Sequence, residues 1–281
     1  MKNLFKDRVF SRVYTGEKMT NLKKAPLIYT LGMINFPQVP DIKRFKDKFF
    51  DKIRRDYPLP DEVKVRVVNT GFSAEGVHLS QQENELWQFS SIDKKWGIIL
   101  TDQSLCIHTI EYYDFLNFSD RFEKNLSALL EVPTIDIEWM TSIGFRYVNL
   151  IETQDNETLD KYILSWVLPE IPPQDSLSII EGAYFARYQT TIGELRLQAL
   201  RKPPFTLPIE LQSPLTIKNG WLKTRPENEF AIVDIDHSAV CNECSMSIPN
   251  ALEKLGNLRK QAKTVFNSIG TPFAKKYWGE E

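Results

Sequence analysis

Four short runs between Val63 and Ile110, VKVRVV, LWQFSSI, WGIILT and LCIHTI, set the strongest limit on what this chain can become. In each, apolar and polar residues alternate or β-branched and aromatic residues crowd together, and Gly, Asn, Asp and Lys separate one run from the next. Period-two runs cut by turn formers make an antiparallel meander, not a parallel sheet, which would need a long crossover between strands. The helical signals fall outside the meander. Ile42, Phe45, Phe49, Ile53 and Tyr57 recur at steps of three and four, with Asp41 expected as the cap and Pro58 as the stop. Phe115, Phe118, Phe122, Leu126 and Leu129 mark a second amphipathic helix that ends before Pro133. The runs LIYTLGMINF from Leu27 and SIGFRYVNLI from Ser142 complete this half as strands.

The polar stretch ETQDNETLDK, Glu152 to Lys161, is the expected boundary, followed by proline-rich connections at LPEIPPQ and RKPPFTLP. GAYFARYQTTIGELRLQAL and FAIVDIDHSAV read as strands. A long closing helix has Ser247 as its cap and Ala251, Leu255, Leu258, Ala262, Val265 and Ile269 at heptad-like spacing. Gly270 suits the position after its end, and Thr271-Pro272 begins a further short helix to Trp278. Strands in runs indicate an α+β fold. The expected organisation is an N-terminal extension over 1–22, a first α+β half over 23–152 and a second over 153–281. These are two related antiparallel-sheet halves, each with long helices packed on the sheet.

Composition excludes several classes. With 281 residues, 42% hydrophobic and 26% charged, the chain can bury a sizeable core. No apolar run approaches the roughly 18 residues of a membrane-spanning helix, and MKNLFKDRVFSRVY lacks the apolar segment of a secretory signal. Three cysteines form no disulfide framework, which points to a reducing, cytoplasmic setting. The net charge of −2 conceals an asymmetry: residues 1–66 carry 16 Lys and Arg against 8 Asp and Glu, a basic end facing an acidic remainder. Such an end can contact nucleic acid or pair with acidic protein surfaces.

Several runs together resemble a known family. KAPLIYTLGMINFP, Trp87-Gln-Phe-Ser-Ser with Trp96 nine residues on, IGFRYVN from Ile143 to Asn149, the DID of Asp234 to Asp236, and the closing helix with Phe266 and Thr271 carry the resemblance. It is to a sporadically distributed family of uncharacterised bacterial proteins, of about 250 residues, within the size of ordinary domains. The resemblance implies a bacterial or phage-associated protein, patchily inherited as toxin–antitoxin and phage-defence genes are. It implies no established activity. In that family the Ala-Pro of APL lies near the initiator methionine, so translation starting at Met19, with 1–18 as an extension, is the implied alternative to Met1.

Signatures of common catalysts are absent: the chain has no G-x-x-x-x-G-K-[ST], G-x-G-x-x-G, G-x-S-x-G or H-E-x-x-H. Three sets of residues remain as candidates. In a strand, Gly144, Arg146 and Val148 face one way while Phe145, Tyr147 and Asn149 face the other. Arg146 beside a glycine can offer its guanidinium to an anion or form an ion pair across the sheet, and Asn149 can bind a ligand or a loop backbone. Trp87, with the other tryptophans, is either core or an aromatic binding platform. In DIDHSAVCNEC, Asp234 and Asp236 share one face while His237 points to the other. Two carboxylates can hold Mg²⁺ or Mn²⁺, whereas Cys241 and Cys244 lack two further zinc ligands and are expected in the turn before Ser247.

These features point to a non-catalytic protein with no cofactor that binds another macromolecule, a protein partner first of all, through Arg146, Asn149, Trp87, Asp234 and Asp236. The closing helix offers either a dimerisation face or part of the chain's own core. Two alternatives stand beside this reading: a metal-dependent hydrolase or nuclease using Asp234 and Asp236, and nucleic-acid binding through Lys43, Arg44, Lys48, Lys52 and Arg55 of the basic helix over 41–57.

Overall fold

The computed structural model describes residues 24–73, 76–133, 135–168, 177, 179–212 and 224–279. The expected extension over 1–22 and Met19 lie outside the described residues, as does Trp221. The meander forms as the alternation dictates. Strands β1 (Leu27–Asn35), β2 (Leu59–Ser73), β3 (Gly76–Ser90), β4 (Trp96–Leu100), β5 (Ser104–Thr109) and β6 (Trp139–Glu152) are followed by β7 (Gly182–Gln189), β8 (Glu194–Arg201) and β9 (Phe230–Ser245). All nine join one antiparallel sheet in the order β2-β3-β4-β5-β1-β6-β9-β8-β7. Strands of both expected halves therefore share a sheet, because β6 pairs along most of its length with β9 and stitches the two groups together.

Five helices are described: α1 (Lys43–Ile53), α2 (Phe115–Leu130), α3 (Ile209–Gln212), α4 (Ile248–Ile269) and α5 (Pro272–Trp278). The long ones lie on one side of the sheet, and periodicity explains why. Phe115, Phe118, Phe122, Leu126 and Leu129 are all buried along one stripe of α2, and Gly32 of β1 leaves room for the Phe118 ring, whose edge would lie 3.0 Å from a Cβ there. In α4, Ala251, Leu255, Leu258, Ala262, Phe266 and Ile269 are buried against β6 and β9, so the heptad-like stripe is spent within the chain's own core. No helix among the described residues is long and apolar enough to cross a membrane.

Helix termini follow the sequence in part. Ser247 caps α4 by accepting from the Asn250 amide, and Thr271 caps α5 through the Ala274 amide. Asp114, which the periodicity did not single out, caps α2 by accepting from the Asn117 amide at 2.7 Å. Asp41 is not the cap of α1: it adopts a left-handed φ of 57°, and Ile42 stands at the N-cap without a side-chain bond. Gly270 is likewise no left-handed terminator; its φ of −74° and ψ of 135° carry the chain extended into the Thr271 cap.

The reverse face, opposite the long helices, carries a second, smaller apolar cluster. Tyr29, Val148, Leu200 and Ile232 meet Leu207 and Leu211 from the segment around α3. That segment covers one end of the reverse face, and among the described residues the neighbouring part of β6, β9, β8 and β7 is left open.

Candidate functional site

Register places the site. β6 alternates as expected, sending Phe145 and Tyr147 to the helix face, where Phe145 meets Phe115 and Phe118 edge-on, and Arg146 to the reverse face. In β9, Asp234 and Asp236 point to the reverse face, while His237 points among the helices and shares a hydrogen bond with the Leu258 carbonyl at 3.0 Å. Arg146 stands opposite Asp236, Asp236 opposite Arg196 of β8, and Arg196 opposite Arg187 of β7. One strand-spacing along, Asp234 faces Gln198, and Gln198 faces Phe185. These side chains line an open depression of about 640 Å³, with Glu210 of α3 as one wall.

Within it, the Arg146 guanidinium is held like a clamp. Its Nε donates to Asp234 Oδ1 at 2.8 Å, one terminal nitrogen donates to Asp234 Oδ2, and the same nitrogen reaches Glu210 Oε1 at 2.6 Å. The two parallel bonds to Asp234 are the fork geometry that arginine offers and lysine cannot. Burial opposes the guanidinium's charge, but the bonds and charges of Asp234 and Glu210 and the charge of Asp236 outweigh it and raise its pKa. Burial pushes the Asp234 carboxyl above the usual aspartate range, with Arg146 pulling the other way. Asp236 is also raised by burial, against Arg146 and Arg196. Glu210 moves down: burial would raise it, but its bond to Arg146 prevails.

Asp236 differs from its neighbours in making no hydrogen bond or ion pair among the described residues. The nearest mobile cation, Arg196, instead directs its Nε to Glu194 at 3.0 Å, and Glu194 also takes the Arg187 fork. Above this charged row, the Phe185 ring is 68% exposed.

The remaining sequence candidates go elsewhere. Asn149 lies on the helix face, buried, and donates to the Val233 carbonyl at 3.2 Å, so it does not meet Arg146. Trp87 is a core residue at 4% exposure, with the Lys46 ammonium over its ring. Cys241 and Cys244 are not in a turn: β9 runs on to Ser245, and the pair straddles the register irregularity that Met140 and Ser142 mark on β6. Burial pushes the Cys241 thiol up to about 11, away from the reactive thiolate. No group of three or more His, Cys, Asp or Glu is placed to hold a metal among the described residues. The guanidinium already occupies both Asp234 oxygens, so Asp234 and Asp236 do not present a free carboxylate pair.

On the basic helix, Lys43 pairs with Glu85, Lys52 with Glu131, and Arg44 with Asp41. Lys48 and Arg55 are solvent-exposed, as is Arg54, paired with Asp51. Most of the stretch is thus neutralised by the chain's own carboxylates. Sequence reasoning missed Glu210, Arg196, Gln198 and Phe185. The alternation of GAYFARYQ was the one signal for Phe185, since it puts that ring and Arg187 on a common face.

No protein-family model matches the chain, and no curated protein matches it.

Proposed function

We propose that this chain is a non-catalytic macromolecule-binding protein of a bacterial accessory system, of the toxin–antitoxin or phage-defence type, and that it grips a protein partner on the reverse face around Arg146. The observation that carries the reading is the Arg146 clamp at the base of an open depression beside an exposed Phe185. A guanidinium fixed by two carboxylates is a rigid recognition element and a poor proton shuttle, because its charge is held at every accessible pH. An exposed aromatic ring, that of Phe185, lines the same depression. Aromatic and apolar anchors beside fixed polar groups are the composition of protein-recognition surfaces. The resemblance to patchily inherited bacterial proteins supports the accessory-system setting.

The test is affinity capture from the native host with quantitative mass spectrometry, comparing wild type with Phe185→Ala and with Lys48→Ala on α1. A protein retained in near-stoichiometric amount by wild type and Lys48→Ala, and depleted at least tenfold by Phe185→Ala, is the expected outcome. A partner retained equally by all three would place recognition on another surface.

A further inference from the structure

We propose that the floor of the reverse-face depression receives a guanidinium, an arginine side chain presented by the protein partner, with Asp236 as its acceptor and Phe185 as its stacking wall. The inference rests on the reading that a protein partner docks here, and deepens it by naming the group that is read.

Charge is the first consideration. Three carboxylates, Asp234, Asp236 and Glu210, and three guanidinium groups, Arg146, Arg187 and Arg196, line the depression; Asp234 and Glu210 are both paired with Arg146, so Asp236 is the carboxylate of the lining that stands outside an ion pair among the described residues. Hydrogen bonding is the second. Arg146 takes both oxygens of Asp234 and one of Glu210, while Asp236 is left without a partner among the described residues, although Arg146 lies opposite it in register. A partly buried carboxylate with no hydrogen bond is costly and is relieved by a donor entering from outside.

The third consideration is what the rim does. Arg196, the residue best placed to swing onto Asp236, is bonded to Glu194, and the same carboxylate holds Arg187. Both rim arginines line the depression but spend their bonds on Glu194. Space is the fourth: Gly144 and Ser238 are paired in the next row, so on β6 and β9 the side chains flanking Arg146 and Asp236 on that side are small. The depression, about 640 Å³, lies within the usual size of ligand sites.

Phe185 selects among cations. A guanidinium is planar and weakly hydrated; it stacks on an aromatic face while its edge bonds a carboxylate, whereas an ammonium is a compact, strongly hydrated charge. An anionic group would meet the Asp236 carboxylate, and an apolar one would seal Asp236 away unpaired.

The probe is Nα-acetyl-arginine methylamide, with the lysine and glutamate analogues, titrated into the full chain and followed by NMR shifts and calorimetry. Wild type is expected to bind the arginine probe saturably, the lysine analogue several-fold more weakly, and the glutamate analogue not at all. Asp236→Asn should weaken arginine binding at least tenfold and Phe185→Ala several-fold, each with an unchanged far-ultraviolet spectrum and a cooperative melt. Absence of arginine binding by wild type, or equal binding by Asp236→Asn, overturns the proposal. So does binding that emerges only in Arg196→Gln, because Arg196 would then fill the site from within. Asp236-dependent arginine binding with no protein partner recovered from cells would uphold this inference and remove the partner reading. A partner held equally by wild type and Asp236→Asn would do the reverse.

Discussion

Two histidines, each fully buried, sit on opposite faces of the same sheet and meet opposite fates. His237 on the helix face is completed by the chain: Nδ1–H donates to the Leu258 carbonyl of α4, and Nε2 lies 3.0 Å from the Thr190 hydroxyl. His108 on the reverse face has no partner at either ring nitrogen among the described residues and packs so closely over Gly97 that a Cβ there would lie 2.5 Å from Nε2. Burial pushes its pKa down to about 3, and the neighbouring Tyr29 hydroxyl is also without a partner. The helix face is thus an ordinary core in which α2 and α4 supply both the packing and, at His237, the hydrogen bond. Buried polar atoms without a partner among the described residues occur on both faces, Thr30 Oγ1 on the helix side and His108 and the Tyr29 hydroxyl on the reverse side, but the Asp236 carboxylate is not fully buried and opens to solvent. An unpaired carboxylate open to solvent is what a recognition surface tolerates and a core does not.

The comparison can be broken most severely from the helix side. Phe118→Ala empties a fully buried ring site between α2, β1 and β6 and should cost about 3–5 kcal/mol, read as a lower urea midpoint, while arginine-probe affinity stays unchanged until the fold is lost. On the reverse face, Asp234→Asn removes the fork acceptor and leaves Arg146 with Glu210 alone; a loss of about 2–3 kcal/mol is expected by the same measurement.

pH separates the faces next. A histidine whose folded pKa is depressed to about 3 binds its proton more readily when unfolded, so stability falls as pH drops from about 6.5 towards 3, by at most about 1.4 kcal/mol per pH unit. His108→Leu should flatten this part of the stability profile.

Asp236 has the opposite sign. Its folded pKa is raised, so the folded state holds the proton more tightly and ionisation costs stability as pH rises from the unfolded aspartate value through the folded one. Asp236→Asn should therefore be more stable than wild type at pH 7, with the advantage shrinking as pH falls below the unfolded aspartate value. A variant that gains stability as it loses its ligand is the mark of a site held ready at the fold's expense. The smallest effect expected is that of Lys52→Ala, which breaks a solvated pair with Glu131 and should change stability by less than about 0.5 kcal/mol.

Much of this architecture is legible in the sequence because it depends on local periodicity. The alternation in IGFRYVN separates Arg146 from Phe145 and Tyr147, the alternation in DIDH separates Asp234 from His237, and the aromatic stripe of α2 buries where its spacing says. What joins Arg146 to Asp234 is not local. The two are 88 residues apart in the chain, and their meeting depends on the β6–β9 register, which a single sequence does not encode visibly. Glu210 arrives from a four-residue helix too short for any periodic signal. Asp41 departs from expectation because an aspartate before an apolar stripe reads as a cap, yet the same side chain also tolerates the left-handed conformation found there. The C-x-x-C, expected in the turn before Ser247, lies instead within β9, which runs on to Ser245.

Hydrogen exchange on the full chain, with and without its captured partner, tests most directly whether the reverse face is the recognition surface. Backbone amides of β7 and β8 around Phe185 and Arg196, and of the segment carrying Glu210, should slow on binding while α2 and the exposed turns of α1 keep their rates. Protection confined to α1 or α4, with β7 and β8 unchanged, would contradict it.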